Sequence, residues 1–322
     1  MRSFLLLGVA VMACLTLSAS SAFADANWVG GGGDDLWSNA ANWDPGIPTS
    51  ATERHNPPAP PNNDNNVARN KLDGTNILIE DGINAVAFGV QIGHPKEGVF
   101  GSQSASNTLT MTGGSLTTQG NFLFNVGRGT NVLPGHLVQF NMSGGTVDAA
   151  GITVPEAFSP AVGSVGINAE MHVSGDSVIN TDLLRLGAND ANSLVTVSDN
   201  ARININDENN GFANGQLWLE SFEDLDNPGG TSVLDISDHG VVAIHGGVNN
   251  EQEDQSVSLG IIVNDLIPRG MITANGGLGT VIAENRGGII YLAAKAGAIP
   301  EPSTMALLLL SCPLLIGSRR RG

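Results

Sequence analysis

The chain has 322 residues, 42 of them glycine, with 5% aromatic residues and a single tyrosine. That profile suits a turn-rich all-β chain with a thin aliphatic core, built as one large domain or two smaller ones. Lysine and arginine number 14 against 31 aspartates and glutamates, a net charge of −17 at pH 7, which argues against nucleic acid and anionic lipid as partners and leaves solubility or divalent cations.

In chain order, Arg2 precedes an apolar run from Phe4 to Leu17, then serines, then Ala22-Phe23-Ala24. This order predicts a secretory signal peptide over 1–24. Ala22 and Ala24 form the signal peptidase site, and Asp25 becomes the first mature residue. The run is too short for a membrane anchor. The only cysteines are Cys14 and Cys312, each in an end segment expected to be removed. The mature chain would then hold neither disulfides nor thiolate metal ligands.

Residues 25–76 read as an N-terminal cap and a Pro/Asn-rich loop. Three of the four tryptophans, Trp28, Trp37 and Trp43, lie here among Gly30 to Gly33, Asn39 and Asn42. The segment resembles the W-x-G…W-x-x-x-x-N-W…P entry motif of many secreted bacterial β-helical and autotransporter-like proteins. On that resemblance it caps a solenoid, the three indoles covering a core end that would otherwise meet water. Trp28, Trp37 and Trp43 are also candidate carbohydrate contacts, because aromatic faces suit sugar rings. Pro57 to Asn66 is low-complexity sequence that favours extended and turn backbone.

Residues 77–294 read as a repeat domain. Leu109-Thr-Met-Thr-Gly-Gly recurs as Phe140-Asn-Met-Ser-Gly-Gly, Met171-His-Val-Ser-Gly-Asp, Val195-Thr-Val-Ser-Asp-Asn and Leu234-Asp-Ile-Ser-Asp-His, with a looser copy at Ile77. Apolar residues two apart share one face of a strand, and Gly, Asp or Asn then accepts a tight corner. A second motif interleaves at Val90, Phe124, Gly163, Leu184, Leu217 and Val257. Short strands repeating at intervals of about 20–50 residues predict a solenoid or propeller. The uneven spacing fits a coil with loops of variable length better than a four-stranded blade. The resemblance of the tryptophan segment, and of the C-terminal segment described below, to exported β-helical families implies a right-handed parallel β-helix. The alternative is an antiparallel β-sandwich or barrel, with each Gly-Gly as a hairpin turn. No sustained helical periodicity is expected between the ends, and Ile289 to Ala294 reads as the last strand.

Residues 295–322 read as a linker and a sorting signal. Pro300-Glu301-Pro302-Ser-Thr is followed by an apolar stretch and Arg319-Arg320-Arg321. This closely resembles the PEP-CTERM signal of exported Gram-negative proteins, carried by Pro300, Glu301 and Pro302. The resemblance implies transient membrane anchoring through the apolar segment and processing by an exosortase. It also implies delivery to the outer surface or an exopolysaccharide matrix.

Candidate chemistry is thin. The six histidines are scattered, with no His-Glu-x-x-His, and His172 reads as an outward strand residue. No Gly-x-Ser-x-Gly elbow occurs. The hydroxyls of Thr112, Ser143, Ser174, Ser198 and Ser237 recur coil after coil, so they read as a ladder bonding local backbone rather than as nucleophiles. Asp148, Asp176, Asp199, Asp235 and Asp238 are expected near equivalent corners, where carboxylates serve calcium, acid–base work or simply turns. Asp199, Asp207 and Glu208 are the candidate metal ligands, with calcium the one cofactor considered. The expected function is that of an exported, non-catalytic structural or adhesive protein associated with extracellular polysaccharide. The rivals are a β-helix polysaccharide lyase or hydrolase and a calcium-assisted carbohydrate-binding protein.

Overall fold

The structure, a computed structural model, describes residues 26–44, 46–48, 67–70, 72–93, 106–118, 124–129, 136–157, 168–188, 191–206, 215–219, 231–245 and 259–295. After β1 (Ala26–Trp28) and β2 (Trp43–Asp44), strands follow in triplets. The first triplet is β3 (Val67–Asn70), β4 (Asn76–Ile79) and β5 (Asn84–Ala87). The second is β6 (Gly89–Ile92), β7 (Thr108–Met111) and β8 (Ser115–Thr118). The third is β9 (Phe124–Val126), with the short β10 (Arg128–Gly129) behind it, then β11 (Val138–Met142) and β12 (Thr146–Ala149). The fourth is β13 (Ile152–Ala157), β14 (Asn168–Val173) and β15 (Val178–Thr181). The fifth is β16 (Leu183–Ala188), β17 (Asn192–Val197) and β18 (Arg202–Ile205). The sixth is β19 (Gln216–Leu219), β20 (Ser232–Ile236) and β21 (Val241–Ile244). The chain then enters α1 (Leu259–Ile261), which runs into a π-helical turn at Ile262–Leu266. It ends in β22 (Ile272–Ala274), β23 (Val281–Arg286) and β24 (Ile289–Ala294).

Each strand of a triplet pairs in parallel with its counterparts in the neighbouring triplets, which makes three stacked sheets. The first sheet runs β19-β16-β13-β9-β6-β3-β1-β2, the second β22-β20-β17-β14-β11-β7-β4, and the third β23-β24-β21-β18-β15-β12-β8-β5. The protein is all-β, and this stacking is compatible with a β-helix or solenoid.

The repeat noted in the sequence is the second sheet and its following corner. Ile77, Leu109, Phe140, Met171, Val195, Leu234 and Ile272 stand in one register, each paired with the next. With their i+2 neighbours they face inward and are buried, as the period-2 pattern requires. Phe140 meets Phe124 of the first sheet edge-on, with centroids 5.0 Å apart. The second motif marks the first sheet at Val90, Phe124, Leu184 and Leu217. In the fourth coil that sheet position belongs to Ile152–Ala157, whereas Gly163 to Gly166 lies outside the described residues. The copy at Val257 runs into a helix at Leu259, contrary to the expectation of strands alone.

The antiparallel sandwich or barrel is overturned by the glycine corners themselves. A two-residue hairpin of type I′ needs positive φ at both central residues. In Gly113-Gly114 and Gly144-Gly145 only the second glycine has it, at 67° and 88°. The strands on either side accordingly leave for different sheets. Gly287-Gly288 has φ of 64° and 91° and does make a hairpin, between β23 and β24. Among the described residues antiparallel pairing is confined to the two ends, at β1–β2 and at β21–β24–β23.

The ladder of corner hydroxyls is also revised. Of the five, Ser174 alone makes a described side-chain bond, donating 3.2 Å to the Met142 carbonyl of the coil before. The side-chain ladders are built largely of asparagine. Asn204 donates to Asn180 at 2.9 Å and Asn180 to Asp148 at 2.7 Å across the third sheet. Asn192 donates to Asn168 at 2.9 Å on the second.

Close approach of coils explains one glycine in particular. A Cβ at Gly145 would stand 2.5 Å from the Gly114 carbonyl oxygen and 2.7 Å from Gly113 backbone. Gly82 has a similar φ of 78° but nothing within 4 Å of its would-be Cβ. Gly82→Ala should therefore cost about 1–2 kcal/mol, the penalty for left-handed backbone alone. Gly145→Ala should cost about 3 kcal/mol or more, because overpacking against rigid backbone is added. Equal losses in chemical denaturation would refute coil-to-coil contact as the reason for the second glycine.

Candidate functional site

The tryptophan segment is a closed polar and aromatic unit. Trp43 packs edge-on against Trp28 and Trp37, with centroid separations of 5.1 Å and 4.8 Å. Its indole N–H donates 2.9 Å to the Trp37 carbonyl. The three rings are 2%, 2% and 4% exposed and belong to the core cluster. No stacking face is presented to a sugar ring, so they do not form the aromatic platform considered from sequence. Asn42 ties the loop together. It accepts from the Gly32 N–H at 2.7 Å and donates to the Asp34 carboxylate and carbonyl and to the Leu36 carbonyl. Side-chain hydrogen bonds from Asn39 and then Asn42, with the Leu36 N–H, hold the Asp34 carboxyl below its ordinary range. The Trp37 N–H donates to the Leu78 carbonyl, and the Leu78 N–H to the Asp35 carbonyl, so this loop pairs with β4.

The aspartates do not form one line. Asp176, Asp199 and Asp238 sit at corners, whereas Asp148 lies on a third-sheet strand and Asp235 on a second-sheet strand. Asp199 has φ of 55°, the αL geometry expected of a corner, and its carboxylate accepts the Gly175 N–H at 3.0 Å. Asp235 accepts from the Thr273 hydroxyl and the Gly276 N–H. Asp207 and Glu208, the other two candidate ligands, lie outside the described residues, as do Ala22, Ala24, Pro300, Glu301 and Pro302. Among the described residues no group of three or more His, Asp, Glu or Cys is placed to hold a metal. Among them, too, no helix is long and apolar enough to cross a membrane.

A second polar cluster lies on the outer face of the second sheet. Glu170 and His172 are two apart on β14 and therefore point the same way. The Glu170 Oε2 lies 3.0 Å from His172 Nε2 and accepts from Gln139 at 2.9 Å. His172 Nδ1 lies 2.9 Å from the Thr196 hydroxyl on the next coil. With the carboxylate accepting from Nε2–H, Nδ1 accepts the Thr196 proton when the ring is neutral and donates to the Thr196 oxygen when it is charged. Partial burial alone pushes the Glu170 carboxyl up. Hydrogen bonds from His172 and Gln139, and the charge of His172, together outweigh it and hold the carboxyl below its ordinary value of 4.5.

The connectivity of carboxylate, imidazole and hydroxyl is that of a hydrolytic triad, but the surroundings differ. β17 is paired in parallel on both sides, so the backbone N–H groups beside Thr196 are spent in ladders. Oxyanion stabilisation requires donors aimed at the developing charge. The cations of the middle coils are elsewhere: Arg185 stacks 5.3 Å over Trp218 on the first sheet, and Arg202 is on the third. Sequence reading placed His172 outward but passed over Glu170. The available signal was Glu-x-His at strand spacing, directly ahead of a repeat apolar residue.

Beside this row runs a groove of about 480 Å³ along the N-terminal ends of the second-sheet strands. Successive coils supply its lining: His136 and Leu137, then Asn168 to Glu170, then Asn192 to Leu194, then Thr231 and Val233. Ser193 is buried, and its hydroxyl has no hydrogen-bond partner.

No protein-family model, curated protein or solved structure matches this chain.

Glu170 provides the pH test. Its lowered folded-state pKa contributes stability that is present above the unfolded value and lost as pH falls through the folded one. The Glu170 carboxyl should thus titrate below 4.5. His172→Ala should move that midpoint upward, since partial burial remains while a hydrogen bond and a charge are lost. Carbon-detected NMR titration reads both, and an unchanged midpoint in His172→Ala would rule out the pairing.

Proposed function

We propose that the chain is an exported, non-catalytic structural or adhesive protein of an extracellular polysaccharide matrix. Its fold on this reading is a right-handed parallel β-helix. Trp28, Trp37 and Trp43 cap its N-terminal end, and α1 and the β23–β24 hairpin close the other. Export follows from the signal-peptide pattern ending at Ala22-Phe-Ala24. Delivery to the outer surface follows from Pro300-Glu301-Pro302, with an exosortase as the processing partner.

One observation carries the non-catalytic part: the outward polar side chains bond mostly along the stack rather than converging. Asp148, Asn180 and Asn204 bond across successive coils of one sheet, and Gln139, Glu170, His172 and Thr196 do so on another. A rigid rod with a polar surface follows from such ladders. A lyase or hydrolase would need an acid and a base left free to meet substrate on one face. The acidic surface makes contact with an acidic matrix polymer depend on a bridging divalent cation such as calcium.

Secretion from a host with an exosortase should yield a protein beginning at Asp25 and ending near Pro300. Intact mass of the secreted form measures this, and a mature species retaining Arg319 to Arg321 would sink the sorting reading.

Incubation of that secreted protein with neutral and acidic polysaccharides, with and without calcium, should release no new reducing ends and no unsaturated products. Pelleting with the acidic polymers should need calcium. Product formation would replace this reading with that of a lyase or hydrolase.

A further inference from the structure

We infer that the groove along the N-terminal ends of the second-sheet strands binds a neutral glycan chain lying parallel to the stacking axis. The direction follows from the lining, because consecutive coils contribute equivalent positions. Asn168 pairs with Asn192 in the ladder, and Leu194 pairs with Glu170 on one side and Val233 on the other. Neighbouring strands stand about 4.8 Å apart. Four coils therefore present their side chains over about 14 Å, at a pitch close to the length of one sugar ring in an extended glycan.

The chemistry of the lining selects the ligand. Leu137, Leu194 and Val233 offer aliphatic surface of the kind the C–H face of a sugar ring covers. Amides and hydroxyls supply the polar partners. Asn192 accepts from Thr231 and donates to Asn168. That fixes the neighbouring Asn168 side chain so that its N–H₂ group is left to donate. Glu170 uses one oxygen on His172 and Gln139, leaving the other to accept. No lysine or arginine lines the groove among the described residues. A uronate or sulfated chain would meet the Glu170 carboxylate with no lysine or arginine beside it to offset the repulsion, so the ligand is uncharged. The inference rests on the matrix reading only for where such a glycan comes from.

The test uses the purified full chain in EDTA with cello-, xylo- and malto-oligosaccharides of two to six rings, and with oligogalacturonates. Isothermal titration should show at least one neutral series binding, with affinity rising to about three or four rings and then levelling, as a groove of about 14 Å requires. Leu194→Glu and Asn168→Ala should each weaken that binding about 10-fold or more while circular dichroism and thermal melting stay near wild type. Asn168→Ala removes a donor without adding charge, so it decides the matter if Leu194→Glu perturbs the fold. Absence of binding by every neutral series, tighter binding of oligogalacturonates, or wild-type affinity in a folded Asn168→Ala protein would each overturn the inference. Failure of the matrix reading appears separately, as retained Arg319 to Arg321 or as released products, and neither changes a binding isotherm in EDTA.

Discussion

The parallel register between successive coils is the constraint on which everything else depends. A strand of about four residues has too few bonds to stand alone, and its N–H and C=O groups need a strand on each side. The next coil supplies that partner only if its chain arrives at the same height with the same side chains facing in. Hence Ile77, Leu109, Phe140, Met171, Val195 and Leu234 occupy one line, and a one-residue slip would turn that whole line to solvent. The corners enforce the register: Gly145 lies where only a missing Cβ lets two coils touch. Outward positions feel the same constraint, and like side chains stacked one above another bond best as amides, each donating up and accepting down.

A stack of this kind is unfinished at both ends, where sheet edges and core would meet water. The two ends use different chemistry for the same problem. At the start, Asn42 satisfies a loop whose three indoles complete the core, and Trp37 pairs with β4. At the finish, Ile262 and Leu266 of the helical turn bury against the core. β24 reverses direction to cover β21, leaving β23 as the outer edge with the charged Glu284 and Arg286. Antiparallel pairing ends a parallel sheet because it closes a ladder without calling for another coil.

The second sheet was legible in the sequence because its inward pattern and its corner recur together. The first sheet was legible only in part. Gln91, Asn125 and Thr153 face outward, yet all three are buried, so alternation of polarity did not report alternation of exposure there. Ile152–Ala157 lacks the glycine that stands at Gly93, Gly127 and Gly187 in neighbouring coils, and the pattern pointed to Gly163-Ser-Val-Gly166 instead. The helix at Leu259 is too short to show a period, and only burial against the core holds it. Of the candidate site, the Trp and Asn residues were visible as types but not their roles. Asn42 as the bonding centre follows from contacts ten residues apart. Glu170 escaped because a lone acid on a strand face looks the same whether solvated or paired.

The three corners of each coil are unequal, and that inequality assigns the site. Between second- and third-sheet strands the connection stays tight, from Met111 to Ser115, Met142 to Thr146 and Val197 to Arg202. Between first- and second-sheet strands it varies widely, from Ala188 to Asn192 in one coil and from Leu219 to Ser232 in the next. A corner that must place two strands in register tolerates little change, whereas a connection free of that duty tolerates insertion at small entropic cost. Variation therefore accumulates along one edge of the stack. The groove lies along that same edge, beside residues whose backbone the ladders hold rigid, and recognition there can change without disturbing the register that builds the fold.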